Sequence, residues 1–561
     1  MEEMAEGRKH GGWAIARHLK ELGFERIFAM AGGHVMPLFD GCLTEGIPVI
    51  DTRHEQAAVH MAEGWATATG QVAIAAVTAG PGATNAATGI VNAAQAGAPL
   101  VVFCGSTATH LDHKGAVQQL DATRLYDSVA KWVRYERDPA RLAASMAEAI
   151  HQARSGRPGV AVLQIPMDVL MADAVEQTPW AAPPEARGAP DPALVDEAVR
   201  LLEGAERPVV LAGGGAHWSG AADALRAFTE RTGIPVTTTS AARGLLPDTH
   251  SNCLGYLMHG GAAVVGGDAV LLLGSRFNAN LVYGGPPMFR EDHRVIQVDV
   301  TAESLGGWKA VEIGMVSDVR LALEALTAAW SAPADRFDAW RGQVQELAEM
   351  SRAGWRANWE NHPPGPTHPG RLAHEAVKAG REVCGDDITF VADGGDCLVW
   401  ALSEFPALHP GAGLQTSTAL GTLGVGVPFA NAAALAHGHP VVAVIGDGAY
   451  GLAAMELDTA VRHSLPVVIC VSNNHVWGDV KNEAQNWFGK GRAVAADLPG
   501  TDYAALARAL GAHGERAETA EEIGPAVQRA LKSGGPAIVD VETDPEVMSE
   551  LLANLAEMGL M

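Results

Sequence analysis

Gly446-Asp447-Gly448-Ala449-Tyr450-Gly451 is followed, after an alanine- and leucine-bearing segment, by Leu465-Pro466-Val467-Val468-Ile469-Cys470-Val471-Ser472-Asn473-Asn474-His475-Val476-Trp477. The run 440–445 before it, Pro-Val-Val-Ala-Val-Ile, is β-branched and apolar, as suits a strand buried on both faces. The order is therefore strand, glycine turn, helix, strand, asparagine pair. In a parallel βαβ unit both strands end at one edge of the sheet, so Asp447 and Asn474 become neighbours although 27 positions separate them. A carboxylate, a carboxamide and a backbone carbonyl form a hard oxygen set of the kind Mg²⁺ takes, with phosphate and water completing its octahedron. The glycines allow a diphosphate close to the backbone, and a helix after Gly451 would aim its amide-rich end at it. Read separately, the two elements would be only an Asp-Gly turn and an unrelated Asn-Asn turn.

The combined pattern resembles the diphosphate-binding motif of thiamine diphosphate enzymes. The resemblance implies that Asp447, Asn474 and the Val476 carbonyl hold Mg²⁺, with Gly446, Gly448, Ala449, Trp477 and Gly478 lining the cofactor. Asp393-Gly394-Gly395-Asp396, at the end of the apolar run 388–392, faces the diphosphate in relatives, which brings in Gly395 and Asp396. Gly421-Thr422-Leu423-Gly424 is similar to the family's Gly-Thr-Met-Gly segment, whose bulky residue bends the cofactor. Thr422 and Leu423 would take those places, although a leucine buried at a helix start would look the same.

Upstream, apolar runs at 26–31, 47–51 and 71–78 end in Gly32-Gly33-His34, Thr52-Arg53-His54-Glu55 and Ala79-Gly80-Pro81-Gly82. Polar or glycine-rich residues thus recur at the strand ends, where open parallel sheets bind ligands. Glu55 alone would be an ordinary carboxylate at a helix start. Within Asp51-Thr52-Arg53-His54-Glu55-Gln56-Ala57-Ala58 it resembles the family's glutamate that meets the aminopyrimidine ring and favours the imino form that removes the thiazolium C2 proton. Thr78, Pro81 and Asn85, in Thr-Ala-Gly-Pro-Gly-Ala-Thr-Asn, are similar to a cofactor-lining turn. Gln118 matches the glutamine of the Phe-Gln-Glu element of acetolactate synthase-like members, with Val117 in place of phenylalanine. That glutamine reaches the substrate carbonyl, whereas a solvated glutamine is the plainer reading. His34 aligns with an active-site histidine of benzaldehyde lyase, and histidine moves protons readily near neutrality; a histidine capping a turn is the alternative.

These readings predict an α/β fold of three doubly wound parallel-sheet domains: pyrimidine-binding (1–175), middle (193–330) and diphosphate-binding (368–545), with a C-terminal tail or lid (546–561) read as an apolar-faced helix. Proline-rich stretches at 176–192 and 361–366 read as linkers. Gly213-Gly214-Gly215 lacks the rest of a dinucleotide fingerprint. Gly274-Ser275-Arg276-Phe277-Asn278 resembles the flavin (FAD) segment of acetolactate synthase without the two aspartates that follow the phenylalanine. Relatives use this domain for FAD, for ADP or coenzyme A, or for nothing. Coenzyme A would need a basic cleft, for which Arg243, Arg276 and Lys309 are candidates.

A length of 561 residues with 48% hydrophobic content suits about three globular domains. The balance of 40 basic against 65 acidic residues, a net charge of −25, argues against a nucleic-acid footprint. Six scattered cysteines without a C-x-x-C pair argue against zinc or a disulfide framework and favour a reducing cytoplasm. No apolar run reaches membrane-spanning length. Because the glutamate and the metal motif lie on different domains that family members join across subunits, a homodimer or homotetramer is expected. The resemblance implies thiamine diphosphate- and Mg²⁺-dependent lyase or carboligase chemistry on a small carbonyl substrate through a C2 carbanion. The likeness to benzaldehyde lyase favours cleavage of 2-hydroxy ketones or 2-hydroxyacyl thioesters, with acetolactate synthase or a 2-oxo acid decarboxylase as alternatives. A non-catalytic regulatory subunit would be expected to have lost Glu55, Asp447 or Asn474.

Overall fold

A computed structural model describes residues 9–175, 186–412, 414–415 and 420–549. Among the described residues the short β-branched runs form eighteen strands in three six-stranded sheets, and every pairing within them is parallel. The first sheet holds β1 (Ile27–Ala29), β2 (Val49–Asp51), β3 (Ala73–Val77), β4 (Leu100–Ser106), β5 (Trp132–Tyr135) and β6 (Val160–Pro166), in the order β2-β1-β3-β4-β6-β5. The second holds β7 (Pro208–Ala212), β8 (Val236–Thr238), β9 (Cys253–Tyr256), β10 (Ala269–Leu273), β11 (Arg294–Asp299) and β12 (Ile313–Val316), ordered β12-β11-β10-β7-β8-β9. The third holds β13 (Thr389–Asp393), β14 (Leu414–Gln415), β15 (Val441–Gly446), β16 (Val467–Asn473), β17 (His513–Ala517) and β18 (Ala537–Glu542), ordered β14-β13-β15-β16-β18-β17.

The first and third sheets therefore share one winding, and the middle sheet has the strand order of dinucleotide-binding folds. The strand order reverses between β1 and β3, between β7 and β10, and between β13 and β15. At such points the connections leave on opposite faces and open a crevice at the carboxyl edge. Central strands such as β4, β10 and β16 are buried along their whole length, which is why they read as unbroken apolar runs rather than alternating ones.

Six helices position the groups discussed below: α1 (Glu55–Thr69), α2 (Asp396–Glu404), α3 (Gly426–His437), α4 (Asp447–Ala453), α5 (Glu456–Arg462) and α6 (Gly478–Phe488). Small residues let α1 and α3 cross closely, joining the first and third sheets. A Cβ on Gly64 would lie 3.0 Å from Phe429 and 3.1 Å from Ala432. Two expectations are corrected here. The helix after β15 begins at Asp447, four residues before Gly451, with Gly446 as its N-cap and Asp447 Oδ1 accepting the Gly448 N–H (2.8 Å). Of the helix expected over 546–561, residues 546–549 are not helical, and 550–561 lie outside the described residues, as do 176–185 of the first linker. Among the described residues no helix is long and apolar enough to cross a membrane, and the six cysteines are unpaired.

Candidate active site

The third sheet brings together what the sequence separates. Parallel pairing sets Gly446 opposite Ser472, so Asp447 and the Asn473-Asn474 pair emerge side by side. Asp447 is 3% exposed, and its Oδ2 accepts the His475 N–H at 2.8 Å. His475 takes a left-handed φ of 58°, the sharp bend that turns the chain back over Asp447. Asn474 Oδ1 accepts the Val476 N–H at 3.2 Å, which fixes the residue whose carbonyl the sequence nominated. Burial pushes the Asp447 carboxyl up to about 6, against the N–H groups of Gly448 and His475 and the nearby His475 ring, which pull it down. Among the described residues no three His, Cys, Asp or Glu side chains converge on a metal position. A carboxylate, a carboxamide and a carbonyl are nonetheless the oxygen donors that suit Mg²⁺.

Glycines hollow out the adjoining cradle. A Cβ on Gly448 would meet the Trp477 ring at 2.6 Å, and one on Gly395 would meet Asp479 at 2.8 Å. Gly394, with φ of 134°, carries the chain from β13 into Gly395 and Asp396. Asp396 is buried, and its oxygens accept from Trp400 Nε1 (2.9 Å) and the Ser549 N–H (2.7 Å). Ala449 is buried, Leu423 is half-buried against the third-domain core, and Thr422 precedes it in the loop before α3. These residues fit a diphosphate held on backbone amides beside a divalent cation. Asp479, in the first turn of α6, is pushed up to about 7 by burial and by Glu483 and Asp396.

The first sheet gathers the other set. Glu55 is the first residue of α1 and is 9% exposed; its Oε2 accepts from Asn85 Nδ2 at 3.0 Å. Pro81 opens the short helix Pro81–Asn85 that presents Asn85. His34 Nδ1 lies 3.2 Å from Thr78 Oγ1, and burial lowers the imidazole below its usual range. Gln118 has a left-handed φ of 64°, a strained backbone uncommon outside functional turns. It is packed so closely on Gly80 that a Cβ there would lie 2.8 Å from the Gln118 Cα. A Cβ on Gly82 would lie 2.8 Å from Thr78 Cγ2 and 3.6 Å from Glu55 Oε1. Glu55, His34, Gln118, Thr78, Pro81 and Asn85 thus form one constellation at the β1/β3 crevice. Within the chain, the turn before Glu55 is tied to the third sheet's helices, with Glu456 accepting the Arg53 N–H at 3.0 Å and His463 Nε2 3.2 Å from Asp51.

At the middle sheet a cleft of about 650 Å³ opens between Gly214, Gly215, Gly274, Arg276 and Asp299. Two of the basic candidates are misplaced. Arg243 is 6% exposed and donates to the Leu402 carbonyl (3.1 Å) and the Phe405 carbonyl, so it braces the third domain. Lys309 is engaged with the Arg290 carbonyl. Arg157, from the first domain, lines the cleft beside Arg276, and the Gly156-Arg157-Pro158 turn offered no periodic signal that would have placed it there.

Three family models match the chain: the N-terminal thiamine pyrophosphate-binding domain of thiamine pyrophosphate enzymes over residues 9–125, their central domain over 195–326 and their C-terminal thiamine pyrophosphate-binding domain over 393–541. The acetolactate synthase large subunit of Mycobacterium tuberculosis is 35% identical over 554 residues, covering 98% of both chains. That of Lactococcus lactis is 33% identical over 512 residues, 89% of this chain and 87% of its own. A probable acetolactate synthase large subunit of Methanocaldococcus jannaschii is 30% identical over 550 residues, 95% and 92%. The family sequences name what the two constellations and the winding of the three sheets describe: the chain belongs to the thiamine pyrophosphate enzymes, in the family of the acetolactate synthase large subunits.

Proposed function

We propose that this protein is a decarboxylating carboligase of the acetolactate synthase type, taking a 2-oxo acid, losing carbon dioxide and joining the remaining fragment to a second carbonyl. The observation that carries it is the pairing of the Glu55–Asn85 and Gln118–Gly80 arrangement with the Asp447–Asn474 crevice, in a chain whose relatives carry the synthase name over almost its whole length. This reverses the order in which sequence likeness alone ranks the two reactions. Bound thiamine diphosphate would supply the stabilised carbanion equivalent that breaks and makes the carbon–carbon bond. Asp447, Asn474 and the Val476 carbonyl would hold Mg²⁺, and the glycine cradle with Asp396 and Trp477 would seat the diphosphate. Asn85 orients the Glu55 carboxylate, which would hold and release a proton at the aminopyrimidine. Gln118 Nε2 would donate to the substrate carbonyl, its place fixed by the Gly80 contact.

A second reading rests on His34. An imidazole whose pKa burial lowers, set 3.2 Å from Thr78 Oγ1, suits proton removal from the hydroxyl of a 2-hydroxy ketone, which would give acyloin cleavage. The middle-domain cleft, with Arg157, Arg276 and glycine turns, suits the phosphates of FAD or another ADP-bearing nucleotide. Exposed apolar side chains stand on the elements that carry both halves of the site: Met36 and Val117 close in sequence to His34 and Gln118, Leu452 on α4, and Val480 and Phe488 on α6. Burying both patches by pairing two chains would complete the site and supports a homodimer or homotetramer. The test is to supply thiamine diphosphate and Mg²⁺ and assay pyruvate, benzoin and a 2-hydroxyacyl-coenzyme A side by side. Carbon dioxide and acetolactate from pyruvate are expected; benzoin or thioester cleavage without carbon dioxide would replace this reading with the lyase.

A further inference from the structure

Helix α1 begins at Glu55, and a helix N-terminus leaves backbone N–H groups without intrahelical partners. The usual remedy is a side chain of the chain's own preceding turn. Here that remedy is partial: His54 Nδ1 accepts the Gln56 N–H at 3.1 Å. The N–H groups just before the helix are met from 403 positions away. Glu456, the first residue of α5, places Oε1 3.0 Å and Oε2 3.3 Å from the Arg53 N–H, and the His54 backbone also hydrogen-bonds to it.

Glu456 is itself fixed. It is 2% exposed, its Oε2 accepts from Thr459 Oγ1 at 2.7 Å, and its own carbonyl accepts from Asn431 Nδ2 of α3 at 3.0 Å. The charged groups around it come from both domains. Arg462 binds Asp51 and Asp458, Arg53 lies 3.7 Å from Asp458, and His463 lies 3.2 Å from Asp51. A carboxylate of the third domain thus sits at the positive end of the first-domain helix that carries Glu55.

We infer that Glu456 is a positioning residue for Glu55, holding the 53–55 turn so that the Glu55 carboxylate meets its target in register. This rests on the role given to Glu55 above. Misplacement by about 1 Å costs on the order of 100-fold in rate, so loosening this turn lowers kcat more than it alters binding at Asp447. Burial holds the Glu456 carboxyl up to about 7. Falling pH neutralises it, weakens its hold on the two N–H groups and lowers kcat.

Hydrogen exchange at the Arg53 and His54 amides of the cofactor-free protein, calorimetric titration with thiamine diphosphate and Mg²⁺, and kcat against pH test this in E456A and E456Q. In E456A, exchange at both amides should rise at least ~10-fold and kcat should fall ~100-fold, with cofactor affinity within a few-fold of wild type. E456Q keeps an acceptor oxygen without the charge. It should restore amide protection in part, give an intermediate kcat and lose the acid limb of the kcat profile. Wild-type exchange in E456A, or raised exchange with unchanged kcat, overturns the inference. If E456A does not fold, an unaltered acid limb in E456Q does the same. Failure of the Glu55 assignment would show instead as wild-type turnover in E55Q, which leaves the exchange result standing.

Discussion

The glycine cradle makes its sharpest claim at Gly448. An alanine there would put its Cβ 2.6 Å from Trp477 Cε3 and Cζ3, whereas carbon atoms settle at about 3.5–4.0 Å. The indole must therefore retreat by about 1 Å or the turn must open. Overpacking of this kind costs about 1–3 kcal/mol. Trp477 follows directly on Val476, so in cofactor-free G448A the ring relaxes into the cradle and must be pushed back on binding. If the whole strain is met at that step, affinity for thiamine diphosphate with Mg²⁺ falls about 5- to 150-fold. Gly451 supplies the control in the same helix. No heavy atom lies within 4 Å of a Cβ there, so G451A should bind the cofactor as wild type does and gain roughly 1 kcal/mol of helix stability. Calorimetric titration of both variants, with thermal melts alongside, reads both quantities. Equal affinity in G448A and G451A would refute the idea that this face of the turn receives a ligand.

Glu55→Gln preserves shape and should leave thiamine diphosphate bound while lowering kcat by about 10²–10⁴-fold; turnover within a few-fold of wild type would end that assignment. Asn92 Nδ2 lies 2.9 and 2.8 Å from the two Glu63 oxygens, both side chains being almost fully buried. N92A removes both hydrogen bonds and leaves the buried Glu63 carboxyl with His60 Nδ1 at 3.5 Å, so it should cost about 1.5–3 kcal/mol in urea unfolding, and a loss under about 0.5 kcal/mol would contradict this. Asp393, fully buried and accepting the Gly424 and Gly426 N–H groups (3.0 and 2.8 Å), is pushed by burial from 3.8 up to about 6. Its folded-state pKa lies above the unfolded value, so its contribution to stability is greatest below about pH 4 and declines as pH rises through 6, by roughly 3 kcal/mol. The melting-temperature difference between D393N and wild type, measured without cofactor, should accordingly move in favour of D393N from pH 5 to pH 8. A difference that does not change with pH would count against it.

Much of the architecture was legible because buried parallel strands leave unbroken β-branched runs: 440–445, 467–471 and 269–273 announce themselves without context. The neighbourhood of Asp447 and Asn474 was equally legible, since winding rules convert a βαβ pattern into adjacency at one sheet edge. What escaped depends on contacts that no local pattern encodes. The hold of Glu456 on the turn before α1 joins residues 403 positions apart, and Arg157 reaches the middle cleft from another domain. Arg243 misled because a basic residue in a sequence carries no mark of burial, and its guanidinium is occupied by third-domain carbonyls. The early start of α4, at Asp447 directly after β15, escaped because the glycine spacing had suggested a longer loop.

The most direct test of the central claim is titration of the purified protein with thiamine diphosphate, with and without Mg²⁺, in wild type and D447N. The expected result is saturable binding in wild type that is lost on chelating the metal and lost in D447N. Undiminished binding in D447N would show that the cofactor is not held at the crevice between β15 and β16.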